Sequence, residues 1–145
     1  MLLAGTHPRT LDDKKRLALP RRIRGQIAER SGPLFIAQGL DRCLWLYDER
    51  ALEELAEKLD RAPATDVEAR IFRRLFFAQM EAVDIDKAGR ILVPDRLIEY
   101  AGLTHSVVLL GVRDHLELWD ADRWKNYLSE HGPHFDKVAE GAFRK

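Results

Sequence analysis

A decapeptide that occurs twice constrains this chain more than any other feature. Leu11-Asp12-Asp13-Lys14-Lys15-Arg16-Leu17-Ala18-Leu19-Pro20 and Ile85-Asp86-Lys87-Ala88-Gly89-Arg90-Ile91-Leu92-Val93-Pro94 share one pattern. It reads aliphatic, Asp, three turn-like residues, Arg, aliphatic, any, aliphatic, Pro. Arg16 and Arg90 lie 74 positions apart, about half of the 145-residue chain. A repeat of that period implies supersecondary units that bury their apolar faces against each other. Each copy is too poor in apolar residues for a core of its own, so the two are expected to share one.

The likeness runs past the decapeptide. Ile23 and Ile27 of the first copy match Leu97 and Ala101 of the second at the same spacing. Two strand-like runs follow in each: Leu34 to Ala37 and Cys43 to Tyr47, then Ser106 to Leu110 and His115 to Trp119. The offset is now 72, so the second copy has lost two residues. Each copy then reaches an acidic helix start, Asp48-Glu49-Arg50 and Asp120-Ala121-Asp122. Asp and Glu suit that position because they accept from free amides and complement the positive helix end.

Between the copies, Leu52, Leu55, Ala56 and Leu59 predict one amphipathic helix, broken at Ala62-Pro63-Ala64. Thr65-Asp66-Val67-Glu68 reads as a capping box with Thr65 as the cap. The helix it opens is expected to reach about Gln79, with Val67, Ile71, Leu75 and Ala78 on one face and Phe72, Phe76 and Phe77 widening it. At the amino end, residues 2–11 read as a strand, and Pro8 assigns it to a sheet edge. Asp12 to Lys15 read as a turn. Pro20 suits a helix entry, and the helix it opens is expected to run from Arg21 to Arg30 and to end at Ser31-Gly32-Pro33. Gly89 implies a left-handed backbone that Lys15 would adopt only at a cost of about 1 kcal/mol or more. The stretch beyond Glu130 reads as a tail, with a short helix and disorder both open. The organisation expected is a first repeat over residues 1–50, linking helices over 51–79, a second repeat over 80–122, and a carboxy-terminal helix and tail over 123–145.

Formal net charge is zero, but the charge is unevenly placed. Residues 1–30 carry Arg9, Lys14, Lys15, Arg16, Arg21, Arg22, Arg24 and Arg30 against Asp12, Asp13 and Glu29, a net +5. Residues 48–70 carry a net −4. A basic segment clustered on the repeated motif points to an anionic partner. Residues 81–100 hold five acidic and three basic side chains, so the first copy is expected to dominate phosphate contact and Arg16 to matter more than Arg90. The single Cys43 forms no internal disulfide, and no signal peptide or membrane span is legible, so a cytoplasmic protein is expected. An enzyme finds little support. His131 and His134 lack a third metal ligand nearby, and Asp84 with Asp86 makes a weaker case still as an acid/base pair. No cofactor is expected.

The duplicated Asp-x-x-x-Arg-aliphatic-x-aliphatic-Pro pattern, with "GLDRCLWLYD" and "DHLELWD" in register after it, resembles the MraZ family of the AbrB/SpoVT superfamily. The likeness spans about Met1 to Leu128. It implies a mainly β fold with helices (α+β), in which two tandem AbrB-like repeats form a double-split β-barrel pseudo-dimer. It also implies a transcriptional regulator, typically a repressor, of the division and cell wall gene cluster. Such a protein binds direct repeats of promoter double-stranded DNA as a ring-shaped homo-oligomer. By that resemblance the DNA-contacting pairs are Asp12 with Arg16 and Asp86 with Arg90. Lys15 stands where the family commonly has Gly. Lys14, Lys15, Lys87, Arg9, Arg21, Arg22 and Arg24 are expected to meet phosphates around them. The Asp is expected either to fix the turn or to pair with the Arg, holding the guanidinium in one pose. Trp45 and the Phe72/Phe76/Phe77 cluster are candidates for subunit contact, with core packing the weightier role. The alternative is a protein-interaction module like the AbrB-like antitoxins, which carry one copy of the repeat where this chain carries two.

Overall fold

The computed structural model describes residues 1–30 and 32–145. Ser31, named above as part of a helix stop, lies outside the described residues. The first copy comprises β1 (Leu3–Thr10), β2 (Arg16–Ala18), α1 (Arg21–Ala28), β3 (Leu34–Gln38), β4 (Leu44–Asp48) and α2 (Glu49–Leu59). A linking helix α3 (Val67–Phe77) leads to the second copy: β5 (Glu81–Val83), β6 (Arg90–Leu92), α4 (Asp95–Ala101), β7 (Ser106–Arg113), β8 (Leu116–Asp120) and α5 (Ala121–His131). A 3-10 turn at Gly132–His134 then leads into α6 (Phe135–Phe143), so the tail is helical. The fold is α+β, with a mostly antiparallel sheet and helices.

The two copies exchange strands. The six-stranded sheet runs β1-β7-β8-β4-β3-β5, so the first strand of each copy completes the hairpin of the other. A separate ribbon pairs β2 with β6. Equivalent residues meet where equivalent strands pair across the copies: Leu17 lies opposite Ile91 in β2–β6, and Trp45 opposite Glu117 in β4–β8. A pseudo-twofold axis therefore passes through both places. β1 is an edge strand, as Pro8 required.

One apolar cluster draws on both copies. Leu17, Ile23, Ile27, Leu44 and Leu46 share it with Ile91, Leu97, Ala101, Leu116 and Leu118, all nearly or wholly buried. Leu44 and Leu46 face it while Trp45 points to the opposite sheet face, the period-two alternation of a strand. On that opposite face Trp45 meets Phe76 edge-on at 6.0 Å, and Phe72 stacks on Phe76 at 5.2 Å. These rings pack on one another within the protomer, with Phe76 buried and Phe72 and Phe77 half-buried.

Two local expectations are corrected. Asp66, not Thr65, caps α3, its carboxylate accepting from the Ala69 amide at 3.1 Å. The stripe of Val67, Ile71, Leu75 and Ala78 faces solvent, while Phe76 is buried. The helix has more apolar surface than the sheet can cover. The aromatic face, which removes more area from water per residue, takes the covered side.

Candidate nucleic-acid interface

The loop before β2 is built by one carboxylate. Asp12 Oδ1 accepts from the amides of Lys14 (2.9 Å) and Arg16 (2.8 Å), and Oδ2 accepts from Arg16 Nε (2.9 Å). The Lys15 amide closes the turn on the Asp12 carbonyl at 2.9 Å. The loop before β6 repeats every bond. Asp86 Oδ1 accepts from the amides of Ala88 and Arg90, both at 2.9 Å, Oδ2 accepts from Arg90 Nε at 3.1 Å, and the Gly89 amide donates to the Asp86 carbonyl at 2.9 Å. The Asp thus fixes the turn and pairs with the Arg at once. The Arg16 amide foremost holds Asp12 below the usual carboxylate range, as the Arg90 amide does for Asp86. Both carboxylates stay charged at neutral pH.

Gly89 adopts φ +81° and Lys15 adopts φ 63°, so the first turn has the left-handed shape of the second despite its side chain. Lys15 is exposed there, whereas Gly89 is buried.

The ribbon orients both arginines. Arg16 pairs with Leu92 and Ala18 with Arg90, which puts these four side chains on one face; Leu17 and Ile91 fill the core from the other. Leu92 is 58% exposed, so that face is open to solvent. As diagonal neighbours, Arg16 and Arg90 have Cα atoms roughly 7–8 Å apart. With each Nε held by its Asp, the terminal guanidinium nitrogens have no protein hydrogen-bond partner among the described residues.

The surrounding cations are divided across the copies. Arg21 and Arg24 of α1 share a cleft of about 680 Å³ with Asp86, Lys87 and Gly89, so they accompany the second loop rather than the first. Lys14 and Lys15 instead share a cleft of about 580 Å³ with Asp95 and Arg96 of α4. Arg96 was not singled out from the sequence, although the 74-residue offset from Arg22 would have found it. Arg22 is exposed on α1. Arg9 lies against backbone, Nε on the Ala18 carbonyl (3.1 Å) and Nη1 on that of Pro8 (2.8 Å). Arg24 Nη1 donates to the Ala88 carbonyl at 3.0 Å.

No helix is long and apolar enough to cross a membrane. Among the described residues no group of three or more His, Cys, Asp or Glu side chains is arranged to hold a metal ion.

The fold and site define a class: a tandemly duplicated α+β protein whose copies interlock about a pseudo-twofold axis and present twin Asp-anchored arginines on a two-stranded ribbon. The family model described as "MraZ protein, putative antitoxin-like" matches residues 2–75 and again 76–145. The chain is 37% identical over 139 residues to a "Transcriptional regulator MraZ" of Saccharopolyspora erythraea, covering 96% of this chain and 95% of that one. It is 39% identical over 140 residues to a protein of the same name from Heliobacterium modesticaldum, with 96% and 95% covered. A third, from Kineococcus radiotolerans, is 39% identical over 134 residues, with 92% of each covered. The chain belongs to the MraZ family.

Proposed function

We propose that this protein is a sequence-specific DNA-binding transcriptional regulator and that the β2–β6 ribbon is its reading head. The observation that carries this reading is the pair of half-exposed arginines on one ribbon face, each locked at Nε by a carboxylate. The major groove, about 12 Å wide, admits a two-stranded β-ribbon. A guanidinium whose Nε is engaged still offers its two terminal nitrogens to the O6 and N7 of guanine. Lys14, Lys15, Arg22, Lys87 and Arg96 flank the ribbon and neutralise phosphates, which sets register without reading sequence. Asp12 and Asp86 act through the arginines they orient.

In this reading the interlocked sheet, ribbon and helices are a double-split barrel. The domain limits are those given above, with 1–50 and 80–122 as the two AbrB-like repeats. The chain works in the cytoplasm at the nucleoid, as a repressor of the division and cell wall genes, acting on direct repeats in their promoter.

A chain with zero net charge binds DNA weakly through one patch and gains affinity by presenting several patches to tandem sites. Two unpartnered apolar faces support self-association: Val67, Ile71 and Leu75 on α3, and Phe135, Val138 and Phe143 on α6, where Phe143 is 90% exposed. Unlike faces that meet head to tail close into a ring when the rotation between subunits closes, and this reading takes that geometry.

A gel shift across a salt series, using the promoter upstream of the chain's own gene against a shuffled duplex of equal length, tests the reading. The promoter is expected to be retained at salt concentrations that release the shuffled duplex. Equal affinity for both would refute sequence-specific reading.

A further inference from the structure

The two Asp-anchored loops share a backbone but differ in what stands behind them. Each is tied to the other copy by an equivalent main-chain bond: the Leu19 amide donates to the Gly89 carbonyl at 3.0 Å, and the Val93 amide to the Lys15 carbonyl at 2.9 Å. The second loop has an additional tie. Arg24, one turn into α1, crosses the copy boundary and donates from Nη1 to the Ala88 carbonyl. Its guanidinium lies over Gly89. A Cβ at that residue would fall 1.7 Å from Arg24 Nη1 and 2.4 Å from its Cδ, so a side chain there would displace Arg24 in addition to straining φ +81°. The first loop lacks this brace. The position equivalent to Arg24 is Ile98, which packs on the core, and Lys15 occupies the place of the glycine.

We infer that Arg24 is a positioning residue that immobilises the Arg90 loop, and that the structure assigns the two loops different tasks. The braced second loop discriminates base sequence. The unbraced, lysine-bearing first loop contributes less to discrimination and supplies most of the sequence-independent affinity. A side chain whose charge lies against a backbone carbonyl, over a buried glycine, is placed to define a conformation rather than to follow a phosphate. A guanidinium already held in its bound pose has less ordering cost on binding and cannot re-aim at a wrong base, so the difference between right and wrong partners is kept. This rests on the DNA-binding reading above, but the brace itself is measurable without DNA.

The test compares Arg24→Ala, Arg24→Lys and Arg22→Ala in the full-length chain by two measurements. The first is amide hydrogen exchange of residues 86–91 in free protein. Arg24→Ala is expected to accelerate it roughly tenfold, and Arg22→Ala to leave it unchanged. The second is binding to the promoter duplex and to the shuffled duplex across a salt series. Arg22→Ala is expected to weaken both duplexes alike and to reduce the salt slope by about one, the signature of a lost phosphate contact. Arg24→Ala is expected to keep the wild-type slope while the promoter-to-shuffled affinity ratio falls about tenfold. Lysine, which keeps the charge but not the reach and planarity of the fork, should restore neither the exchange nor the ratio.

Unchanged exchange in Arg24→Ala, or a slope reduced as in Arg22→Ala, would overturn the inference. If wild-type protein does not distinguish the two duplexes, the DNA-binding reading and the division of tasks fall together. The exchange measurement then still decides whether Arg24 braces the loop.

Discussion

The two Asp-anchored loops agree in every local bond and differ in nearly all their surroundings. Asp12 and Asp86 each hold two amides and an Arg Nε, at distances within 0.2 Å of each other. Around the first loop stand Lys14, Lys15, Asp95 and Arg96; around the second, Arg21, Arg24 and Lys87. Duplication kept what depends on a five-residue span and released what depends on neighbours. Replacing a carboxylate that satisfies three donors leaves donors unpaired at a cost, whereas a solvated cation a few ångströms away can be exchanged at little cost.

The largest expected effect comes from removing both reading arginines. Arg16→Ala with Arg90→Ala should abolish discrimination between promoter and shuffled duplex, since each bidentate contact is worth about 1–3 kcal/mol. The single variants then separate the loops. Counting charges along the sequence ranks Arg16 above Arg90, but the interlocking of the copies places α1 and its arginines beside Arg90. Arg90→Ala is therefore expected to lower the promoter-to-shuffled ratio more than Arg16→Ala. A clearly larger drop for Arg16→Ala in titrations at one salt concentration would restore the sequence-based ranking.

Exchanging the turn residues is a smaller perturbation and reads stability. Gly89→Lys forces a side chain into φ +81° and into the space of Arg24, so it should destabilise by about 1–2 kcal/mol from the backbone alone. Lys15→Gly relieves φ 63° at an exposed site and should raise the thermal midpoint slightly. The same change should weaken binding to shuffled DNA, because it removes a cation. Equal stability changes of one sign in both variants would mean that the turns are not the same shape.

Acidification should leave the loops alike. The folded pKa values of Asp12 and Asp86 are depressed from 3.8, so the stability they contribute is present above that value. It is lost as pH falls through the depressed values. Carboxyl titrations followed by NMR should show both groups moving together below 3.8; one group titrating in its ordinary range would break the equivalence.

The smallest effect lies away from the loops, where the copies differ in the sheet as well. His115 stands where the first copy has the buried Cys43. Burial alone would lower the His115 pKa, but Glu117 and Asp114 outweigh it and raise the value above 6.5. Asp114 Oδ1 lies 2.7 Å from Nδ1 and Glu117 Oε2 3.6 Å from Nε2, the latter too long for a hydrogen bond but close enough for an ion pair. The stabilisation from the charged ring is complete below pH 6.5 and is lost as pH rises through the raised value. A thermal midpoint that declines across that window in the wild type and not in His115→Asn would assign the decline to this ring.

The sequence by itself determined the duplication, the Asp-to-Arg spacing, the turn at each copy, the proline helix entries and the aliphatic faces of α1 and α4. These are set by bonds and side-chain periods within a few residues, and a pattern of five to ten positions contains all their partners. It did not determine that each copy's first strand completes the other's hairpin, or that α1 stands beside the second loop. Nor did it determine that the aliphatic stripe of α3 faces outward while its phenylalanines face in. Those outcomes are settled by competition between surfaces distant in the chain. Two nearly equivalent copies offer almost the same local pattern to either choice, so only the closing of one shared core decides between them.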